Sequence, residues 1–189
     1  MVRSGKVRFG MVRFKNKMKK LPKIINKEEF EKIFLAMSKS KYKPKKRVML
    51  AMLLGFEAGM RISEIVGLKG RYPKLQKFQV EDNLIRITGK GKKDRVVPRP
   101  LRMNKTARDL LPLKIERRTL QRKISQLGRD VLGKEITFHT LRHGFGSHLA
   151  QTRPLHEVQM LMGHSRLDTT GIYLHANPLK AIEGAREVF

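Results

Sequence analysis

The sequence predicts a mainly α-helical domain with one small antiparallel β-sheet, an α+β chain in which helices dominate. Three observations carry this reading. Apolar residues recur at helical spacing over residues 27–39 and again from Leu120 to Val131. Short β-type runs around residues 78–97 are parted by polar and glycine-lysine turns. Hydrophobic residues make up 40% of the 189, enough for one well-packed domain and barely enough for two.

In chain order, Asn26 is placed to cap a helix, with Glu29 three residues on as its return partner. Phe30, Ile33, Phe34 and Met37 follow at i, i+3, i+4 and i+7, so residues 27–39 read as an amphipathic helix. Pro44 opens a second helix, whose stretch Val48 to Leu54 is apolar on all sides and therefore central. It ends at Ala58-Gly59, and a short helix starts near Arg61-Ile-Ser63-Glu64. Phe78 and Val80, then Leu84, Ile85 and Ile87, then Val96 and Val97 form β-type runs. Glu81-Asp82-Asn83 and Gly89-Lys90-Gly91-Lys92-Lys93-Asp94 separate them, giving a small sheet with a cationic turn. Residues 99–118 show no period. Leu120, Ile124, Leu127 and Val131 mark the next helix, and further helices are expected at 139–152, 155–162 and 168–175. Asn177-Pro178 begins a last helix bearing Leu179, Ile182, Val188 and Phe189.

The charge points to a partner. The chain carries 43 Lys+Arg against 16 Asp+Glu, a formal +27, and an excess of that size repels itself unless a polyanion is near. Nucleic acid fits better than a merely solvated basic surface. Residues 1–27 hold ten Lys/Arg and no acid, so residues 1–25 read as a nucleic-acid-binding arm, with Arg13, Lys15, Lys19 and Lys20 among its contacts. The absence of cysteine excludes disulfide and thiolate-metal chemistry. The start lacks the apolar core of a signal peptide, and no apolar run reaches the ~18–20 residues that span a bilayer. The expectation is a cytoplasmic protein with no membrane partner.

The chemistry gathers in the last third: His139-Thr-Leu-Arg142, Leu161-Met162-Gly163-His164-Ser165, and Asp168-Thr169-Thr170-Gly-Ile-Tyr173. An arginine, two histidines and a tyrosine within 35 residues suit attack on a phosphodiester by a tyrosine hydroxyl. A phenol with a pKa of about 10 is a weak nucleophile, so the site must stabilise the attack by other means. Arginine does this for phosphate through a planar fork that carries its charge at neutral pH. Alone, Arg61 would read as a surface arginine, Gly-Lys-Gly as a solvated turn and Tyr173 as a packing aromatic. A zinc reading of His139 and His143, at i, i+4, is poor, because no Glu stands between them in a metal-ligand pattern and there is no Cys. His143 and His148 are expected to pack or to face solvent.

Four blocks occur together: Ala58-Gly-Met-Arg61-Ile-Ser-Glu64-Ile-Val-Gly-Leu68, Gly89-Lys90-Gly91-Lys-Lys-Asp94-Arg-Val-Val-Pro98, His139-Thr-Leu-Arg142-His143, and Met162-Gly-His164-Ser through Thr169-Thr170-Gly-Ile-Tyr173. In this order they resemble the tyrosine recombinases, the phage integrase/Xer family, over residues 26–189. The resemblance implies that family's catalytic-domain fold and its roles. Arg61 and Arg142 would grip the non-bridging oxygens of the scissile phosphate, with Glu64 orienting Arg61. Lys90 would protonate the departing 5′ oxygen, although Lys92 or Lys93 could also be the acid and otherwise contact DNA. His139 would assist proton removal from Tyr173 or bond the phosphate, and His164 would donate to a non-bridging oxygen. Tyr173 would be the nucleophile, nine residues after the Gly-His pair, forming a 3′-phosphotyrosine with no metal or nucleotide cofactor.

The implied activity is site-specific cutting and rejoining of double-stranded DNA by a prokaryotic, nucleoid-associated protein. It would assemble as a homo-oligomer, a tetramer, with the 177–189 helix docking on a neighbour. Family members usually carry an N-terminal helical clamp where this sequence has its basic arm, and the stretch from Pro98 to His139 is short for the family. A type IB topoisomerase-like relaxing activity and a non-catalytic DNA-binding remnant are the rival readings.

Overall fold

The computed structural model describes residues 24–88, 94–163 and 178–188. Among them are α1 (Lys27–Lys39), α2 (Lys45–Phe56), α3 (Ile62–Val66), β1 (Leu84–Thr88), β2 (Asp94–Pro98), α4 (Lys105–Arg108), α5 (Arg117–Leu132), α6 (Phe138–Thr152), α7 (Leu155–Met162) and α8 (Pro178–Val188). The expected helix at 168–175 and the sheet's cationic turn lie outside the described residues.

Local chemistry accounts for the first elements. The Asn26 side chain accepts from the Glu29 amide at 2.8 Å, and the Glu29 carboxylate accepts from the Asn26 amide at 3.2 Å, closing the capping box that starts α1. Phe30, Ile33 and Met37 are buried along one side. Leu50 to Phe56 of α2 are buried on every face, so α2 is the central element, packed between α1 and α6. It stops where Gly59 takes φ +61°. A Cβ there would lie 2.4 Å from the Phe145 ring, so only glycine lets the chain turn so close to α6.

β1 and β2 pair antiparallel, with Ile85 opposite Val97 and Thr88 opposite Asp94. The run at Phe78–Val80 is not a strand. Gln76 donates its amide to the Gln79 side chain at 2.8 Å, curling Lys77–Gln79 into a 3₁₀ turn. That turn leaves Phe78 80% exposed and Val80 in a single bridge to Ile85. The patternless 99–118 stretch is held by turns: Asn104 caps the one-turn α4 and Leu111 and Leu113 are buried. Arg102 fastens it to the helices, donating to Glu57 (2.8 Å) and Glu31 (3.0 Å) while lying over the Phe34 ring. In α5, Leu120, Ile124 and Leu127 are buried, whereas Val131, in the last turn, is exposed and Leu132 packs against the core in its place.

Two apolar clusters result. The larger joins α1, α2, α5 and the start of α6; the smaller comprises Leu84, Phe145, Leu149, Val158, Leu161, Met162, Ile182 and Ala185. α8 therefore lies against α6, α7 and β2 of its own chain. Polar bonds fix its far end: Arg186 donates to Asn83, Arg153 pairs with Glu187, and Lys27 Nζ donates to the Val188 carbonyl at 3.2 Å. Arg142 sits on α6 between Leu141 of the first cluster and Phe145 of the second.

Candidate active site

The end of α2, the start of α3 and the start of α6 bring Arg61, His139 and Arg142 to one cleft of about 420 Å³, lined also by Arg117 and Gln121 of α5. Arg61 is the N-cap residue of α3, and Glu64 is three residues on. The Glu64 carboxylate accepts from the Arg61 amide (2.7 Å) and from Arg61 Nη1 (3.0 Å), so the short helix fixes both the backbone and the side chain of that arginine. Arg61 keeps a 40% exposed side chain while Glu64 is fully covered. The orienting partner is thus dry, and its cation faces the cleft.

Glu64 has a second partner. Arg95 of β2 donates from Nη2 at 2.9 Å, and its side chain is 12% exposed. Burial by itself would raise the Glu64 pKa; the charges of Arg95 and Arg61, with the Arg61 amide bond, outweigh it and hold the carboxyl below its usual range. Arg142 is 3% exposed and, among the described residues, forms no ion pair with a carboxylate. Burial, then the like charges of Arg95 and Arg61, draw its pKa down to about 9, so it stays charged at pH 7. Among the described residues, two guanidiniums pair with Glu64 and a third feels its charge. The surplus is positive, and the cleft is built for an anion.

Backbone carbonyl groups hold these arginines in place. Arg142 donates to the carbonyls of Gly59 and Met162. Arg61 Nη2 donates to the Gly163 carbonyl at 3.4 Å, and Arg95 Nη1 to that of Leu161. Leu161 and Met162 end α7 and Gly163 is its C-cap, so these three successive carbonyls lie where the helix's own bonding runs out. His164 is the next residue.

His139 is exposed at the start of α6, its Nε2 2.9 Å from Nε2 of His143. His148, one turn further on, packs edge-on against Phe56, and its pKa is lowered, chiefly by burial. Among the described residues, no group of three or more His, Asp or Glu is arranged to hold a metal, and no helix is long and apolar enough to cross a membrane.

Of the expected site residues, the structure thus brings together Arg61, Glu64, His139 and Arg142. Lys90, Lys92, Lys93, His164 and Tyr173, with Arg13, Lys15, Lys19 and Lys20 of the arm, lie outside the described residues. Sequence reading missed Arg95, Arg117 and Gln121. For Arg95 a signal existed: a lone arginine beginning an otherwise apolar Val-Val run in a strand.

A family model described as the phage integrase family matches residues 23–180. The chain belongs to the phage integrase family. Curated relatives include a tyrosine recombinase XerD of Staphylococcus aureus, 31% identical over 183 residues, covering 84% of this chain and 60% of that protein. A tyrosine recombinase XerC of Pseudomonas syringae pv. tomato is 32% identical over 143 residues, covering 66% and 46%. This integrase-family chain therefore spans about half of the length of the relatives it matches. Among solved structures, the XerH site-specific recombinase bound to its difH substrate before cleavage superposes with a TM-score of 0.60 at 26% identity, covering 88% of this chain and 54% of that one. The integrase of mycobacterium phage Brujita, at 20% identity and a TM-score of 0.64, covers 90% and 59% and shares the fold. The mainly α architecture with its two-stranded sheet is thus that of a tyrosine recombinase catalytic domain.

Proposed function

We propose that this integrase-family protein cuts and rejoins double-stranded DNA at specific sites through a covalent 3′-phosphotyrosine at Tyr173. One observation carries the reading: Arg61, Arg142 and His139 share one cleft, and the two arginines bond the carbonyls of residues 162 and 163, immediately before His164. A scissile phosphate entering there replaces carbonyl oxygens with charged phosphate oxygens, which bind a guanidinium more strongly.

The steps follow from that placement. The Tyr173 oxygen attacks phosphorus in line, giving its proton to His139. Negative charge grows on the non-bridging oxygens, where Arg61, Arg142 and His164 stabilise it. The bond to the 5′ oxygen breaks as Lys90 supplies a proton, leaving a phosphotyrosine and a free 5′ hydroxyl. Attack by another strand's 5′ hydroxyl reverses each bond change and rejoins DNA. Neither a metal nor a nucleotide cofactor enters this sequence. Basic residues of the arm, with Lys92 and Lys93, contact DNA phosphates, and several copies, a tetramer in the full reaction, assemble on DNA.

Incubation with a random-sequence pool of nicked duplexes tests this, because the nick lets the cut strand's short end diffuse away. The expected product is a protein–DNA adduct that mass spectrometry maps to the peptide around Tyr173 and that Tyr173→Phe does not form. An adduct on Tyr42 or Tyr72, or one that survives Tyr173→Phe, overturns the assignment. Relaxation of plasmids without any preferred sequence would instead indicate a topoisomerase, and binding without adduct a non-catalytic remnant.

A further inference from the structure

Resting on that reading, we infer that Arg95 is a positioning residue that holds two separate parts of the site in register. It stands on β2, one residue after the strand begins at Asp94. Its Nη2 bonds Glu64, the carboxylate that fixes Arg61, and its Nη1 bonds the Leu161 carbonyl at the end of α7, three residues before His164. One side chain thereby ties the helix bearing a phosphate-gripping arginine to the helix end that precedes His164 in the sequence.

The packing is as specific as the bonding. Gly163 takes φ +59°, and a Cβ at that position would lie 2.7 Å from Arg95 Cδ and 3.0 Å from its Nε. The Arg95 stem therefore fills the space a side chain at 163 would need. Burial lowers the Arg95 pKa, the adjacent Glu64 charge opposing it, so Arg95 shares the covered setting of the carboxylate it holds. A lysine has one compact donor group in place of a planar fork, and cannot bond Glu64 and Leu161 in the same geometry. The end of α7 also presents the partial negative charge of its last carbonyls, which a charged fork offsets and a neutral residue does not.

Misplacing reacting groups by about 1 Å costs on the order of 100-fold in rate, whereas one internal arginine adds little to a binding energy made of many phosphate contacts. The test uses the full 189-residue chain, the random-sequence nicked pool, and the variants Arg95→Lys and Arg95→Met. At saturating DNA, Arg95→Lys should form the adduct about 100-fold more slowly than wild type, with affinity within about threefold and a wild-type circular dichroism spectrum. Amide exchange at residues 158–163 should quicken, and Arg95→Met should be slower still in adduct formation. An adduct rate for Arg95→Lys within about threefold of wild type overturns the proposal. So does a defect that more DNA restores, since that marks general loosening of the fold. If wild type forms no adduct, the proposed function fails separately, and unchanged exchange at 158–163 then overturns the positioning role as well.

Discussion

Replacing Glu64 by glutamine removes one negative charge from beneath three guanidiniums while keeping the shape of the side chain. The amide oxygen can still accept one bond, but its nitrogen side must face a donor. Losing one partner of a buried ion pair costs about 3–5 kcal/mol, whereas an exposed pair is worth about 0–1 kcal/mol. Glu64 has one partner of each kind, Arg95 at 12% side-chain exposure and Arg61 at 40%. With one acceptor retained, the expected loss is about 3 kcal/mol, or roughly 6–12 °C in melting temperature for a domain of this size. Thermal unfolding followed by circular dichroism measures it. Phosphate should compensate: an anion in the cleft neutralises the exposed surplus, so saturating duplex DNA should raise the melting temperature more in Glu64→Gln than in wild type. A melting temperature within about 2 °C of wild type would refute the view that this carboxylate holds the cluster together.

Three further outcomes follow from the same geometry. Gly163→Ala puts a side chain in left-handed backbone against Arg95, and should cost about 1–3 kcal/mol in urea unfolding; an unchanged midpoint would mean the helix end shifts freely. Arg142, with its pKa drawn down to about 9, grips phosphate only while protonated, and bound phosphate raises that pKa. DNA affinity should therefore be full below that value and fall as pH rises through it; fluorescence anisotropy that stays level to about pH 10 contradicts this. DNA binding should weaken with salt by about 0.9 log units in K per log unit of salt for each phosphate neutralised, and removal of residues 1–20 should lower that slope for all sequences alike.

What the sequence made legible was local. The Asn26–Glu29 box, the all-round apolar α2 and the Arg61–Glu64 pairing all lie within one or two helical turns, where spacing dictates contact. Arg142 was found through its block, but its burial and its carbonyl partners at 59 and 162 come from four elements meeting. Arg95 shows why such residues stay hidden: its two bonds span 31 and 66 positions, and no periodicity encodes them. Phe78 and Val131 erred in the opposite direction. Each obeyed a pattern, yet one sits on a turn closed by Gln76 and Gln79 and the other in a helix end past the core.

The two rings at His139 and His143 share one hydrogen between facing nitrogens 2.9 Å apart, so the tautomer of either dictates the tautomer of the other. Because one hydrogen serves both rings, the two act as a unit: removing the His143 ring leaves the His139 tautomer unset, so a substitution one turn away changes what His139 offers the cleft.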